Sequence, residues 1–324
     1  MASPSPLLAL PGMTDELARI ESLLRGAVVS DDPHLTELAG HLIQAGGKRM
    51  RPALTVVAAA SRTGLPVPED VIRGGVAVEL VQVGSLYHDD VMDEAATRRG
   101  VESVNARFGN LKVILSGDYL LAKSSEIAAS ISMEVAGLMA TTIGRLCEGQ
   151  VRELEGVFDV GRTEEAYTAS IAGKTGSLFS AATRIGGLTG GLASEQVEAL
   201  TVFGHNFGMA FQVVDDVLDV VATDEELGKP SGHDMAEGIY TLPVIRALQA
   251  GDEELRGLLG RPLTEQSEIE RARKLVKAGR GVEEAVAEAQ RYAVEAHDAL
   301  TALPPGAPVD ALTAAVDALA ASVA

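Results

Sequence analysis

Twice in this chain an apolar run ends in three aspartates at the same spacing. The stretch Gly75 to Tyr87 leads into Asp89-Asp90-Val91-Met92-Asp93, and Phe211-Gln212-Val213-Val214 leads into Asp215-Asp216-Val217-Leu218-Asp219. On a helix the first and last aspartate of each cluster are i and i+4, about 40° apart, so both carboxylates leave from one face, and the middle one lies i−3 to the last. Three carboxylates are expected to converge at each site. Such neighbours raise one another's pKa and destabilise the helix that carries them unless a cation sits among them. Oxygen donors with no Cys nearby, and His88 the single imidazole, suit Mg²⁺, which completes its octahedron with water and phosphate oxygens. One DDxxD is as readily a solvated helix face as a site. Two copies, each behind an apolar run where a solvent-facing acidic face is out of place, point to a diphosphate held between facing clusters. Neither has the alternating DxDxDG pattern of a calcium loop.

The rest of the chain reads as helical. Ala, Leu, Val and Glu dominate, aromatic residues are only 3% and Trp is absent, and helical-period apolar stretches recur without the alternating β-branched runs of strands. Helices are expected over Thr14 to Val28, Pro33 to Ala45, Arg51 to Arg62, Pro68 to Glu94, Leu111 to Ser130 and Met133 to Glu155. Further helices are expected over Thr163 to Lys174, Ser194 to Ala222, Thr241 to Ala250 and Val282 to Leu303, with a polar loop from Thr223 to Tyr240. Breaks are expected at Gly46-Gly47, Gly64 to Pro68, Gly186-Gly187, Gly190-Gly191 and Pro304-Pro305, none long enough to link independent domains. The expectation is one all-α domain over residues 14–324 after a loose leader, residues 1–13, with Ala311 to Ala324 packing as a last helix. Glu134 interrupts the segment from Ile127 to Cys147, and no apolar stretch reaches the roughly 20 residues of a membrane-spanning helix.

Acidic residues outnumber basic ones 46 to 27, a formal charge of −19, which argues against nucleic acid or an anionic membrane as a partner by bulk charge. The single cysteine, Cys147, forms no intramolecular disulfide, reads as a packed small residue and fits a reducing cytoplasm. Against this background four basic clusters stand out: Gly46-Gly47-Lys48-Arg49-Met50-Arg51, Thr97-Arg98-Arg99-Gly100, Gly173-Lys174-Thr175-Gly176 and Gly228-Lys229-Pro230. Arg offers a planar fork to phosphate, Lys a compact charge, and glycine lets backbone N–H groups approach an anion. Any one pair is more readily a surface salt bridge or helix cap; together they indicate two anionic groups. The GKTG stretch lacks the upstream glycine of a nucleotide-binding P-loop, since position 169 is Ala. No dinucleotide loop and no Ser-His-Asp or Cys-His arrangement can be argued from the spacings.

From about Leu38 to Arg246 the chain resembles the trans-isoprenyl diphosphate synthases, the polyprenyl synthetase family. The resemblance rests on GGKRMRP at Gly46 to Pro52, YHDDVMDEAATRRG at Tyr87 to Gly100, GKTGSLF at Gly173 to Phe179, FQVVDDVLD at Phe211 to Asp219 and GKPSGHDMAEGIYTLP at Gly228 to Pro243. It implies an all-α isoprenoid-synthase bundle with a central cavity, a cytoplasmic homodimer with at most peripheral membrane contact for product release. The implied reaction is head-to-tail condensation of isopentenyl diphosphate with an allylic diphosphate. Asp89 and Asp93 would ligate Mg²⁺ bridged to the allylic diphosphate, with Asp90 in support; Asp215 would ligate a further Mg²⁺, with Asp216 and Asp219 behind it, three ions in all. Arg98, Lys174 and Lys229 would contact the same diphosphate. Lys48, Arg51, Gln82 and Arg99 match the positions that hold isopentenyl diphosphate, and Lys174, Thr175 and Gln212 would line the reacting carbon end.

Product length follows from the residues ahead of the first triplet. Ser85 and Gly84, four and five before Asp89, with Val81 and Ala77 deeper, would line a channel for the growing hydrocarbon, and members with short products tend to place aromatics at the first two positions. Small residues there imply a long product. The competing reading is that Gly84 and Ser85 simply let helices pack closely. A geranylgeranyl- or farnesyl-type short-chain synthase, a terpene cyclase and a non-catalytic regulatory subunit are the alternatives. Two departures stand out: Ile239 where many members carry Lys, and a C-terminus without the basic residue of some short-chain members.

Overall fold

The computed structural model describes residues 5–227 and 231–323. After a short 3₁₀ turn at Pro6–Ala9 come α1 (Met13–Ala27), α2 (Pro33–Gln44), α3 (Met50–Thr63) and α4 (Glu69–Met92). A two-stranded hairpin, β1 (Thr97–Arg98) and β2 (Val101–Glu102), precedes α5 (Val104–Phe108), α6 (Asn110–Ile131) and α7 (Met133–Glu155). Helix α8 (Glu164–Ile171) runs through a π-helical turn at Ala172–Gly176 into α9 (Ser177–Thr189), and α10 (Ser194–Val221) follows. Then come α11 (Asp224–Leu227), α12 (His233–Ala236), α13 (Leu242–Gln249), α14 (Glu253–Leu259), α15 (Gln266–Ala278), α16 (Gly281–Leu300) and α17 (Ala307–Ala321).

Local sequence explains many boundaries. Asp32 accepts the amide of His34 and precedes a proline at the start of α2; Thr163 and Asp252 cap α8 and α14 the same way. Four readings of the sequence change. Gly186-Gly187, expected as a break, lies inside α9; the stretch expected as a polar loop carries α11 and α12; α5, α9, α14 and α15 lie outside every expected helix; and the hairpin is not among the expected elements. The residues expected as a loose leader hold Leu7 and Met13 buried.

The chain clusters into two compact units, one of residues 1–143, 180–201 and 300–314 and the other of residues 144–179, 202–299 and 315–324. The first acidic triplet belongs to the former and the second to the latter. In the first unit α4 packs on α6, α3 and α1. Its buried Val71, Ile72, Val76, Val78, Leu80, Val81 and Val83 cover its whole circumference, the pattern of a helix enclosed by others. In the second unit Val213, Val214 and Val217 of α10 join Tyr167, Tyr240, Leu255 and Tyr292 in one core.

Gly186 shows why a glycine pair can sit inside a helix. A Cβ there would meet the carbonyl oxygen of Thr55 at 2.3 Å and the Cβ of Ala58 at 2.9 Å, so α9 and α3 touch backbone to backbone. We expect Gly186→Ala to force these helices apart and to cost about 2 kcal/mol or more in urea denaturation, despite alanine's better helix propensity. Unchanged or raised stability would contradict the packing.

Candidate active site

Tyr87 sets the end of α4 that carries the first triplet. Its ring is buried, and its hydroxyl donates to the Leu38 carbonyl at 2.7 Å and accepts the Leu42 amide, tying α4 to α2. Beyond it Asp89 is half-buried, Asp90 is fully buried, and the exposed Asp93 is the C-cap, its amide bonded to the Asp89 carbonyl. Asp90 lies about 100° round the helix from Asp89 and turns inward, where Arg98 Nε donates to its Oδ1 at 2.6 Å. Its Oδ2 is buried with no hydrogen-bond partner among the described residues. Burial pushes the Asp90 carboxyl above the usual carboxylate range, and Arg98 pulls against that. The expected convergence of three carboxylates is thus corrected. Among the described residues no group of three His, Cys, Asp or Glu is arranged to hold a metal ion.

The hairpin hands two arginines to different partners. Its two-residue turn, Arg99-Gly100, has φ of 53° and 76°, a conformation that matches the twist of paired strands. Arg98 reaches Asp90 and comes within 3.9 Å of Asp93, whereas Arg99 donates to the carbonyls of Leu42, at 3.1 Å, and Gly46. Lys48 is exposed, and Arg51 and Gln82 are half-buried. Burial pulls the Arg51 guanidinium down to about 10, Glu79 opposing and Arg99 adding to the effect. Arg49, given no ligand role from the sequence, is buried: its guanidinium meets Glu21 and the buried Glu79 and donates to the Ile43 carbonyl.

The second triplet, on α10, is also divided, but with one aspartate outward and two inward. Asp215 is exposed while Asp216 and Asp219 are buried. Asp216 accepts the hydroxyl of Tyr167 on Oδ2 at 2.5 Å and Nε2 of Gln212 on Oδ1 at 2.9 Å, and Gln212 Oε1 accepts the Thr175 hydroxyl at 2.8 Å. This chain fixes the amide orientation of Gln212. Burial raises the Asp216 carboxyl to about 7, helped by the nearby Asp215 and Glu153 and opposed by the two hydrogen bonds. Asp219 receives the Asp234 amide at 3.4 Å, and its carbonyl accepts the Gly232 amide. Lys174, in the π-helical turn, donates to Glu153 of α7 at 2.6 Å. Ile239 is half-buried. Lys229 lies outside the described residues.

The residues expected to control product length separate by helical angle. A Cβ at Gly84 would lie 3.2 Å from the Gly117 carbonyl and 3.3 Å from Leu121, both on α6, and the Ala77 carbonyl accepts the Ser124 hydroxyl of the same helix. Gly84 and Ala77 are thus turned to α6. Ser85, half-buried, lies about 40° from Asp89 round α4, and the buried Val81 about 80°.

With this geometry in hand, comparison with known proteins decides the family. Residues 32–277 match the family described as polyprenyl synthetase. The chain belongs to that family. It is 39% identical to the nonaprenyl diphosphate synthase of Mycobacterium tuberculosis, over 93% of this chain and 90% of that protein. It is 37% identical to the heptaprenyl diphosphate synthase component 2 of Geobacillus stearothermophilus, over 90% and 91%. Among solved structures, the polyprenyl synthase of Caulobacter crescentus CB15, complexed with calcium and isoprenyl diphosphate, superposes with a TM-score of 0.90 at 31% identity, covering 99% of each chain. This polyprenyl synthetase has the all-α isoprenoid-synthase fold and is a long-chain trans-prenyltransferase; the short-chain and non-catalytic alternatives are not favoured.

The donors fit a divalent cation. Asp89, Asp93 and Asp215 are the half-buried or exposed members of their triplets, and Mg²⁺ typically takes one or two carboxylates and completes its shell with water and phosphate, without an all-protein cage. Sequence reasoning missed Arg49, Glu79, Tyr167 and Glu153. Glu79 had a visible signal, a charge in the middle of an apolar helix; Tyr167 and Glu153 had none, because their partners are remote in sequence. We expect Tyr167→Phe to remove a hydrogen bond to a buried carboxyl and to cost about 1.5–3 kcal/mol in chemical denaturation. A cost near zero would show that Asp216 does not depend on the phenol.

Proposed function

We propose that this synthase elongates an allylic diphosphate by Mg²⁺-dependent condensation with isopentenyl diphosphate. The observation that carries the reading is that in each triplet an outward aspartate stands beside a buried one braced by a donor, Arg98 at Asp90 and Tyr167 at Asp216. Asp89, Asp93 and Asp215 would hold the ions, three by family resemblance, and Arg98, Lys174 and Lys229 the allylic diphosphate. Lys48, Arg51, Gln82 and Arg99 would hold isopentenyl diphosphate. Bound Mg²⁺ would neutralise charge building on the leaving diphosphate. The basic side chains share that task, while Thr175 and Gln212 stand at the reacting carbon. The isopentenyl double bond attacks the allylic carbon as it gains cation character, and loss of a proton completes the step, the released diphosphate serving as acceptor.

We further propose a cytoplasmic homodimer in which residues 14–324 work as one catalytic domain. Among the described residues no helix is long and apolar enough to cross a membrane. On α7 Met133, Gly137, Ala140, Gly144, Cys147, Val151 and Leu154 repeat at coiled-coil spacing and every one is exposed. Cys147, expected to be packed, therefore lies on the surface. On α6 Leu111, Leu115, Asp118, Ala122, Ser125 and Ala129 repeat in the same way and are also exposed. These faces suit a second copy of the chain. The name of the Geobacillus relative favours a second reading, a catalytic component that needs a different partner.

Purified protein given Mg²⁺, labelled isopentenyl diphosphate and allylic starters of five to twenty carbons is expected to make chain-extended product alone and to sediment as a dimer. Activity that appears only with an added partner would favour the component reading. Asp89→Ala and Asp215→Ala should each lower turnover by several orders of magnitude; near-normal rates in either would refute its metal role. Ser85→Phe is expected to shorten the product in chromatography of the dephosphorylated alcohols, and Gly84→Phe to lower thermal stability through its clash with α6. A Ser85→Phe product of wild-type length would take Ser85 off the channel wall.

A further inference from the structure

Glu79 is 3% exposed on α4, flanked by Val78 and Leu80. Arg49 donates to its Oε1 at 2.9 Å, with both side chains 4% exposed. Arg99 comes within 3.9 Å of the same oxygen, and the Glu79 charge also steadies the Arg51 guanidinium against burial. Two arginines thus reach one carboxylate, and a third feels its charge. Arg49 is itself committed inward, to Glu21 and the Ile43 and Gly46 carbonyls, and the Gly46 carbonyl is shared with Arg99. Gly47 lies against both guanidiniums: a Cβ there would sit 2.9 Å from Arg99 and 3.1 Å from Arg49. The loop carrying Lys48 is folded over this pair.

We propose that Glu79 is a positioning residue for isopentenyl diphosphate: it clamps Arg49 and Arg99 side by side and so sets the loop and the Arg51–Arg99 pair that receive the substrate's phosphates. The proposal rests on the assignment of Lys48, Arg51 and Arg99 to that substrate. It carries a sign that separates position from charge. An anion behind an anion site opposes binding by simple electrostatics, so a Glu79 acting only through its charge would weaken binding, and its neutralisation would tighten it. A Glu79 that acts by holding the guanidinium forks does the reverse, because two-pronged phosphate recognition depends on fork geometry.

The experiment is Glu79→Gln, read by steady-state kinetics with each substrate varied and by calorimetric titration with isopentenyl diphosphate alone. The expected result is a roughly tenfold rise in KM and Kd for isopentenyl diphosphate, with kcat and the KM for the allylic diphosphate within about twofold of wild type. Arg49→Lys, which keeps the charge and loses the fork, should follow the same pattern. Unchanged or tighter isopentenyl diphosphate binding overturns the proposal, and so does an equal loss for both substrates. If Glu79→Gln does not fold, Glu79→Asp retains the charge one methylene further back and is expected to raise the isopentenyl diphosphate KM alone; an unaltered KM overturns the proposal. A wild-type protein that elongates normally while Glu79→Gln binds normally refutes the positioning role and leaves the reaction intact. A wild-type protein that binds isopentenyl diphosphate and never elongates, with binding weakened by Glu79→Gln, does the opposite.

Discussion

The structure depends on carboxylates taken out of water and kept there by specific donors. Glu79, Asp90 and Asp216 are each at most 3% exposed, and a carboxylate in that setting is tolerated only when hydrogen bonds or opposite charge replace its lost hydration. Arg49 does this for Glu79, Arg98 for Asp90, and Tyr167 with Gln212 for Asp216. Each brace also places a group assigned to substrate. Arg98 is fixed beside the first triplet, Arg99 beside Arg49, and Thr175 is reached through Gln212. The burial that makes these carboxylates costly makes their partners' positions definite.

The two triplets follow one plan on different supports. In the first, an aspartate at the helix end is braced by a hairpin whose turn residues have left-handed backbone, so a neighbouring arginine points to a different partner. In the second, the brace comes from α8 and from α10 itself, and the π-helical turn at Ala172–Gly176 carries Lys174 and Thr175. Interruptions of this kind inside helices frequently mark functional sites. In neither triplet do all three carboxylates act alike, because consecutive residues on a helix are about 100° apart.

Much of this was legible in residue order. The apolar runs ending in DDxxD located α4 and α10 and both triplets, and all the expected glycine and proline breaks except Gly186-Gly187 fall between helices. The basic clusters contain Lys48, Arg51, Arg98, Arg99 and Lys174, all among the described residues, Lys48 in the loop before α3, Arg99 in the hairpin turn and the other three on helical or strand segments. Illegible were the partners. Nothing local links Tyr167 to Asp216 or Lys174 to Glu153, and Gly84 reads equally as a channel wall or as a packing contact until α6 is placed against it. Gly186-Gly187 reads as a break because local propensity is blind to the approach of Thr55. The hairpin at Thr97–Glu102 is too short for a strand pattern to register.

Sequence by itself determined the helical class, the positions of the acidic and basic motifs and the family, because these depend on residue type and on spacing along one helix. Only the tertiary structure decided which aspartates of each triplet are buried, which arginine turns inward and which small residue touches another helix. Those outcomes depend on what lies across a helix–helix contact, and desolvation and close packing are set by neighbours that residue order does not bring together.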